Sequence, residues 1–184
     1  TEKLKLARHE GDVAVVTLAD PETLNALGPS LCAALLDALA ALAADGRTRA
    51  AVLTGEGRAF CSGANLTEAA AYLAEEDAEP DLQRLVERFY NPVAEALRTL
   101  PFPLVTAVNG VAAGIGCAFA LGGDLVVAAG GASFNVAFRR VGLVPDGGST
   151  WLLPRRVGLA RAMEMVLLGE TIDAPQALEW GLIN

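Results

Sequence analysis

Lysine and histidine are nearly absent from this chain. The only lysines are Lys3 and Lys5 and the only histidine is His9, all in the amphipathic N-terminal segment. This scarcity counts against a Schiff-base lysine, a phosphate-loop lysine, a Ser-His-Asp triad and a His-rich metal site. Cysteine is scarce too: Cys32, Cys61 and Cys117 are odd in number and lack CxxC spacing, so they read as buried thiols in a reducing compartment. Basic charge is in deficit, with 22 acidic against 14 basic residues and a net charge of −8. That balance disfavours broad contact with nucleic acid or an anionic membrane, because both need a basic surface; local arginine clusters can still hold a small phosphorylated ligand. No charged segment followed by an apolar one opens the sequence, so a cytoplasmic location is the expectation. The longest uncharged run, 101–123, is broken by Thr106, Asn109 and several glycines, which fits a buried strand, turn and helix better than a membrane span. What remains is carboxylate chemistry, backbone N–H electrostatics, or a cysteine without a histidine partner.

With 184 residues, 53% apolar and 20% charged, the chain reads as one globular domain, 1–184. Residues 3–18 alternate and predict two antiparallel strands around Gly11-Asp12. An Ala/Leu helix is predicted over 29–44, with Gly46 just past its end. "RAAVLTGEG" predicts a buried strand, "AFCSGANL" a loop, and 66–76 a helix. The acidic segment 75–82 reads as a solvated loop or a lid. A helix over 83–100, a strand in "PFPLVTAVNG", a small-residue helix over 112–121 and strands in "DLVVAA" and "ASFN" follow. Helical pieces are predicted at 146–153, 159–168 and 175–180, and "WGLIN" looks like the start of a further strand. This alternation predicts stacked βα units with mostly parallel strands.

Two glycine turns, "FCSGANL" and "NGVAAGIGCAFA", each follow an apolar strand and precede a helix. The first N–H groups of those helices lack partners, and two such donors converging on one carbonyl oxygen stabilise an enolate. Close packing of strand on helix explains a single such turn equally well. The second turn also matches the GxxxGxG of short-chain dehydrogenases, but Tyr72 and Tyr90 are followed four residues on by Glu76 and Ala94, so the Tyr-x-x-x-Lys pair is missing.

With "LNAL" at 24–27, the motifs "AFCSGANL", "AVNGVAAGIG" and "GLVPDGGSTWLLPRRVG" make the chain, from residue 13 to 184, resemble the enoyl-CoA hydratase/isomerase (crotonase) family. The resemblance implies an α/β fold of the ClpP/crotonase type, a spiral of repeated ββα units. It also implies assembly as a homotrimer or hexamer, and an acyl-CoA thioester as partner, coenzyme A entering as part of the substrate with no separate cofactor. By position, the oxyanion donors are the amides of Ala64 and Ile115, with Gly114 adjacent. Ala26, Ser62, Asn65 and Leu66 line the pantetheine path, and Arg58 is placed to meet a CoA phosphate, though an exposed turn arginine is an equal alternative. The family's C-terminal helices, which help close the site and build the trimer, have no counterpart in the sequence.

Hydratases of this family use two glutamates, and the matching positions hold Ala118 and Phe138. Neither can move a proton. Asp146 is the acid left, matching the position of the acid in some family isomerases, and the segments around it look most like the phenylacetate-pathway isomerase branch, which acts on a ring-epoxide CoA thioester. Local sequence alone makes Asp146 a helix N-cap. The missing glutamates make it the proton shuttle of a 1,3-shift, with Phe138 and Val144 as the apolar neighbours that raise its pKa. The competing functions are hydration, with an acid from 75–82, and a non-catalytic CoA-binding or assembly subunit. Among other candidates, Asp124 reads as a buried hydrogen-bonding acid, Cys61 and Cys117 as core, and Arg139-Arg140 and Arg155-Arg156 as exposed turns, with contact to phosphate or another subunit as the alternative. Tyr72 and Trp151 read as core aromatics or acyl-pocket walls, and Glu68 and Glu75 as facing solvent or the pocket.

Overall fold

A computed structural model describes residues 3–75 and 82–184. β1 (Leu4–His9) and β2 (Val13–Leu18) form the expected antiparallel hairpin, His9 pairing with Val13 across the turn. On β2 the residues Ala14, Val16 and Leu18 face inward at period two. α1 (Pro29–Ala44) covers this sheet, and Leu31, Leu35, Leu39 and Leu42 supply its buried face. Burying each such leucine is worth about 1.5–3 kcal/mol, and Pro29 pre-sets the first helical turn.

From residue 50 the chain repeats one plan three times. β3 (Ala50–Gly55) is followed by β4 (Ala59–Cys61) and α2 (Leu66–Glu75). After α3 (Leu82–Leu85), a π-turn (Val86–Tyr90) and α4 (Asn91–Thr99) come β5 (Leu104–Val108), β6 (Val111–Ala113) and α5 (Ile115–Leu121). Then β7 (Leu125–Ala128), β8 (Ser133–Asn135), a 3₁₀ turn (Ala137–Val141) and α6 (Ser149–Leu168) complete the third round. β9 (Thr171–Asp173) and α7 (Ala174–Glu179) follow.

The first strand of each unit joins one sheet and the second joins another. One sheet runs β1-β2-β3-β5-β7 and the other β4-β6-β8-β9; β3, β5 and β7 are parallel neighbours, as are β4, β6 and β8. The chain therefore climbs as a spiral of ββα units. Phe60 from β4, Phe119 from α5 and Phe134 from β8 are fully buried in its core. Among the described residues no helix is long and apolar enough to cross a membrane.

Several local expectations change. The loop expected at "AFCSGANL" begins with β4, and the helix expected over 112–121 begins with β6; strands of three residues are too short to show a period-two pattern. The helix expected over 83–100 carries a π-turn. The two pieces expected at 146–153 and 159–168 are one bent element, α6, starting at Ser149 and kinked at Gly158. No strand forms at "WGLIN"; instead the Asn184 backbone N–H donates to Val126 O at 2.9 Å. Of the acidic segment, residues 76–81 and the Glu75 side chain lie outside the described residues.

Candidate active site

Two turns meet at the ends of β4 and β6. Leu27 bridges Ala64 in parallel fashion: its N–H donates to Gly63 O at 2.7 Å and its carbonyl accepts from Asn65 N–H at 2.9 Å. In that pattern Ala64's own N–H points away from Leu27, and it has no acceptor among the described residues. Gly63 sits at φ +111°, and a Cβ there would stand 3.1 Å from Ala113 O, so glycine lets the first turn lie against the second. In the second turn the Gly114 N–H is consumed by Asn135 O at 2.9 Å. Gly114 therefore shapes the turn rather than donating to a ligand. Ile115, the first residue of α5, has no acceptor for its N–H among the described residues.

The segment carrying Leu27 is held by a buried polar side chain two residues before it. Asn25 is fully buried at φ +57°. Its Oδ1 accepts from Asp20 N–H at 2.9 Å, and its Nδ2 donates to Glu56 O at 3.0 Å and Ala59 O at 2.9 Å. Asparagine tolerates the left-handed conformation better than most residues. An asparagine between leucine and alanine in "LNAL" was the available signal.

Asp146 enters from the loop before α6, and it is not the cap of that helix. Gly147 and Gly148 intervene in left-handed conformations, Gly148 takes the N-cap position, and no side chain caps it. Asp146 contributes only its backbone carbonyl, which accepts from Ser149 N–H at 2.9 Å. Its carboxylate atom Oδ1 is buried without a hydrogen-bond partner. Burial lifts the carboxyl from its ordinary 3.8 to about 6, because desolvation disfavours the charged form. Gly147 brings this loop onto α5: a Cβ there would lie 2.4 Å from Ile115 Cδ1.

Ser62, Ala64, Leu66, Gly114, Ile115 and Asp146 share a cavity of about 230 Å³. Phe138 and Leu143 line it from the Asp146 side, Leu85 from the end of α3, and Val86 and Tyr90 from the π-turn. Val144, expected beside Asp146, is 82% exposed, because the loop turns it outward; Leu143 takes its place. Tyr90 was not singled out from sequence. It is buried, and its hydroxyl donates to Leu27 O at 3.1 Å.

Other candidates fall elsewhere. Ala26 is buried next to the bridge but off the cavity. Asn65 Oδ1 accepts from Glu68 N–H at 3.1 Å and so caps α2. Arg58 is exposed, with no ion-pair partner among the described residues. Glu68 is engaged by Lys3 and Ser30, away from the cavity. Ala118 and Trp151 line a second cavity between α4, α5 and α6, where Arg155 stacks on Trp151. Tyr72 packs edge-on against Phe89 instead of lining the cavity.

Asp124 accepts from Leu104 N–H at 2.8 Å, but its side chain is 54% exposed. It opens β7 at the sheet edge, which corrects the expectation of a buried acid. Arg156 is not on an exposed turn: it donates to Leu121 O and Gly123 O at 2.9 and 2.7 Å. Cys32, Cys61 and Cys117 are buried, and burial pushes each thiol up to about 12. Such thiols are not nucleophiles near neutral pH.

The Enoyl-CoA hydratase/isomerase family model matches residues 8–184. The chain is 47% identical over 178 residues to 1,2-epoxyphenylacetyl-CoA isomerase of Escherichia coli, covering 97% of this chain and 67% of that protein. It is also 47% identical over 171 residues to a Rhodobacter capsulatus protein named probable enoyl-CoA hydratase, covering 93% of this chain and 63% of the relative. Among solved structures, an enoyl-CoA hydratase from Mycobacterium smegmatis superposes with TM-score 0.88 at 36% identity, covering 100% of this chain and 69% of that one. One from Bacillus anthracis does so with TM-score 0.91 at 30% identity, covering 99% and 69%. The chain thus spans roughly two thirds of the length of these relatives. With its ββα spiral and paired glycine turns, the chain belongs to the enoyl-CoA hydratase/isomerase family.

Proposed function

We propose that this protein moves a double bond, or rearranges a ring epoxide, in an acyl-CoA thioester through an enolate. In the bond migration Asp146, ionised, takes a proton from Cα or Cγ, and the electron pair flows into the thioester carbonyl. The Ala64 and Ile115 amides hold the resulting oxyanion, and Asp146 returns the proton at the other carbon. One preorganised donor of this kind contributes about 3 kcal/mol of transition-state stabilisation.

The observation that carries this proposal is Asp146 itself. It is the only carboxylate among the described residues lining the cavity, its Oδ1 lacks a partner, and its pKa is raised to about 6. A base near that value is ionised at neutral pH and still returns a proton readily. Isomerase and hydratase names occur among the relatives at the same 47% identity, so the preference for isomerisation rests on the single carboxylate. Assembly as a homotrimer or hexamer, given a C-terminal helical segment, belongs to the same proposal; Leu159, Met163 and Leu167, exposed at four-residue spacing on α6, offer an apolar stripe for it.

Product mass tests the reaction class. A 3-enoyl-CoA incubated with the protein is expected to yield a 2-enoyl-CoA of unchanged mass. A product heavier by one water supports hydration instead, and binding without turnover across a panel of acyl-CoAs supports a non-catalytic subunit.

A further inference from the structure

We infer that Tyr90 is a positioning residue for the oxyanion hole, acting through the Leu27 carbonyl rather than on the substrate. The inference rests on the Ala64 amide being an oxyanion donor, as proposed above. Leu27 sets the direction of that amide by bracketing Ala64 with two hydrogen bonds, to Gly63 and from Asn65. Its carbonyl accepts twice, from Asn65 N–H at 2.9 Å and from the Tyr90 hydroxyl at 3.1 Å. Both lone pairs of this carbonyl are thereby occupied and its plane is held.

The local helix geometry serves the same contact. The π-turn brings Leu85, the residue just before it, and Tyr90, its last, onto one face, so both meet the cavity; in a regular α-helix they would stand about 140° apart. The π-turn, an uncommon arrangement, thus brings Leu85 to the cavity beside Val86 while Tyr90 reaches back to Leu27. Tyr90 is 3% exposed. Burial, helped by the nearby Cys32 and Asp146, pushes its phenol above the ordinary 10, so it stays protonated and remains a donor. With its proton committed to Leu27, the hydroxyl is not a base in the reaction.

The test compares the full chain with Tyr90→Phe, using a saturated acyl-CoA carrying a ¹³C-labelled thioester carbonyl. Infrared spectroscopy reads the polarisation of that carbonyl directly. Wild type is expected to lower the carbonyl stretch on binding; Tyr90→Phe keeps affinity but loses part of the lowering, and its kcat for a 3-enoyl-CoA falls about tenfold with KM little changed. A tether that only stabilised the fold would lower the melting temperature and leave the carbonyl stretch alone. Incorporating 3-fluorotyrosine at position 90 keeps the ring and strengthens the donor, so it deepens the lowering, and it carries the test if Tyr90→Phe does not fold. A carbonyl stretch and kcat unchanged in Tyr90→Phe, or a stretch identical to wild type in the 3-fluorotyrosine protein when Phe does not fold, overturns the role of Tyr90 alone. No lowering in wild type overturns the oxyanion reading beneath it.

Discussion

Replacing Asp146 by asparagine should stabilise the protein, and by an amount that depends on pH. The carboxyl is lifted from 3.8 to about 6 by burial, and at about 1.36 kcal/mol per pH unit this corresponds to about 3 kcal/mol. Because the group is half-buried and partly open to the cavity, solvent screening trims the figure toward about 2 kcal/mol. Below 3.8 the carboxyl is protonated in both folded and unfolded chains and carries no penalty. As pH rises toward 6 the unfolded chain releases the proton first, so stability is lost across that window and stays lost above it. Asparagine has nothing to ionise. Its advantage over wild type should therefore be small near pH 4 and grow to about 2 kcal/mol by pH 8. Urea denaturation of both proteins at low concentration, in steps from pH 4 to 8, reads the difference directly, and the other carboxylates cancel in the comparison. A difference that does not change with pH would refute the claim that burial perturbs this acid.

Two further outcomes follow from the same geometry. In Gly147→Ala the new Cβ meets Ile115 Cδ1 at 2.4 Å and Ala118 Cβ at 2.9 Å on a backbone with φ +56°. Overpacking and left-handed strain together cost about 2–4 kcal/mol, so thermal denaturation should show a midpoint lower by about 5–10 °C, with slower isomerisation by the protein that remains folded. The described cavity lining contains no Lys, Arg or His, and an unpaired carboxylate buried there costs several kcal/mol. An acyl-CoA ending in a carboxylate should accordingly show kcat/KM at least about 100-fold below an uncharged acyl-CoA of equal length; comparable values would remove the apolar-pocket account.

Much of the scaffold was legible because its signals are long. The Gly28-Pro29 pair, the Ala/Leu pattern that follows and Gly46 beyond it mark α1 at both ends, and alternation over 3–18 defines the first hairpin. The second sheet was hidden, since β4, β6 and β8 have three residues each and their identity as strands comes from pairing across turns. The π-turn was hidden for a related reason: its extra residue changes which side chains share a face without changing the helical composition of 82–99. Around Asp146 the local pattern pointed to a cap, and it failed because two left-handed glycines delay the helix to Ser149. The carboxylate kept for the cavity by that delay is visible only in three dimensions. Tyr90 and Asn25 show the same limit. Each reaches backbone carbonyls far away in sequence, and no spacing encodes those contacts.

The central claim is that Asp146 carries the proton, and the pH profile of isomerisation tests it most directly. Measured as kcat/KM for a 3-enoyl-CoA, wild-type activity should rise with pH through a midpoint near 6 as the carboxyl becomes the base. Asp146→Asn should lose that limb together with the activity, while still binding a saturated acyl-CoA. A variant that turns over at the wild-type rate, with the limb intact, would contradict the account.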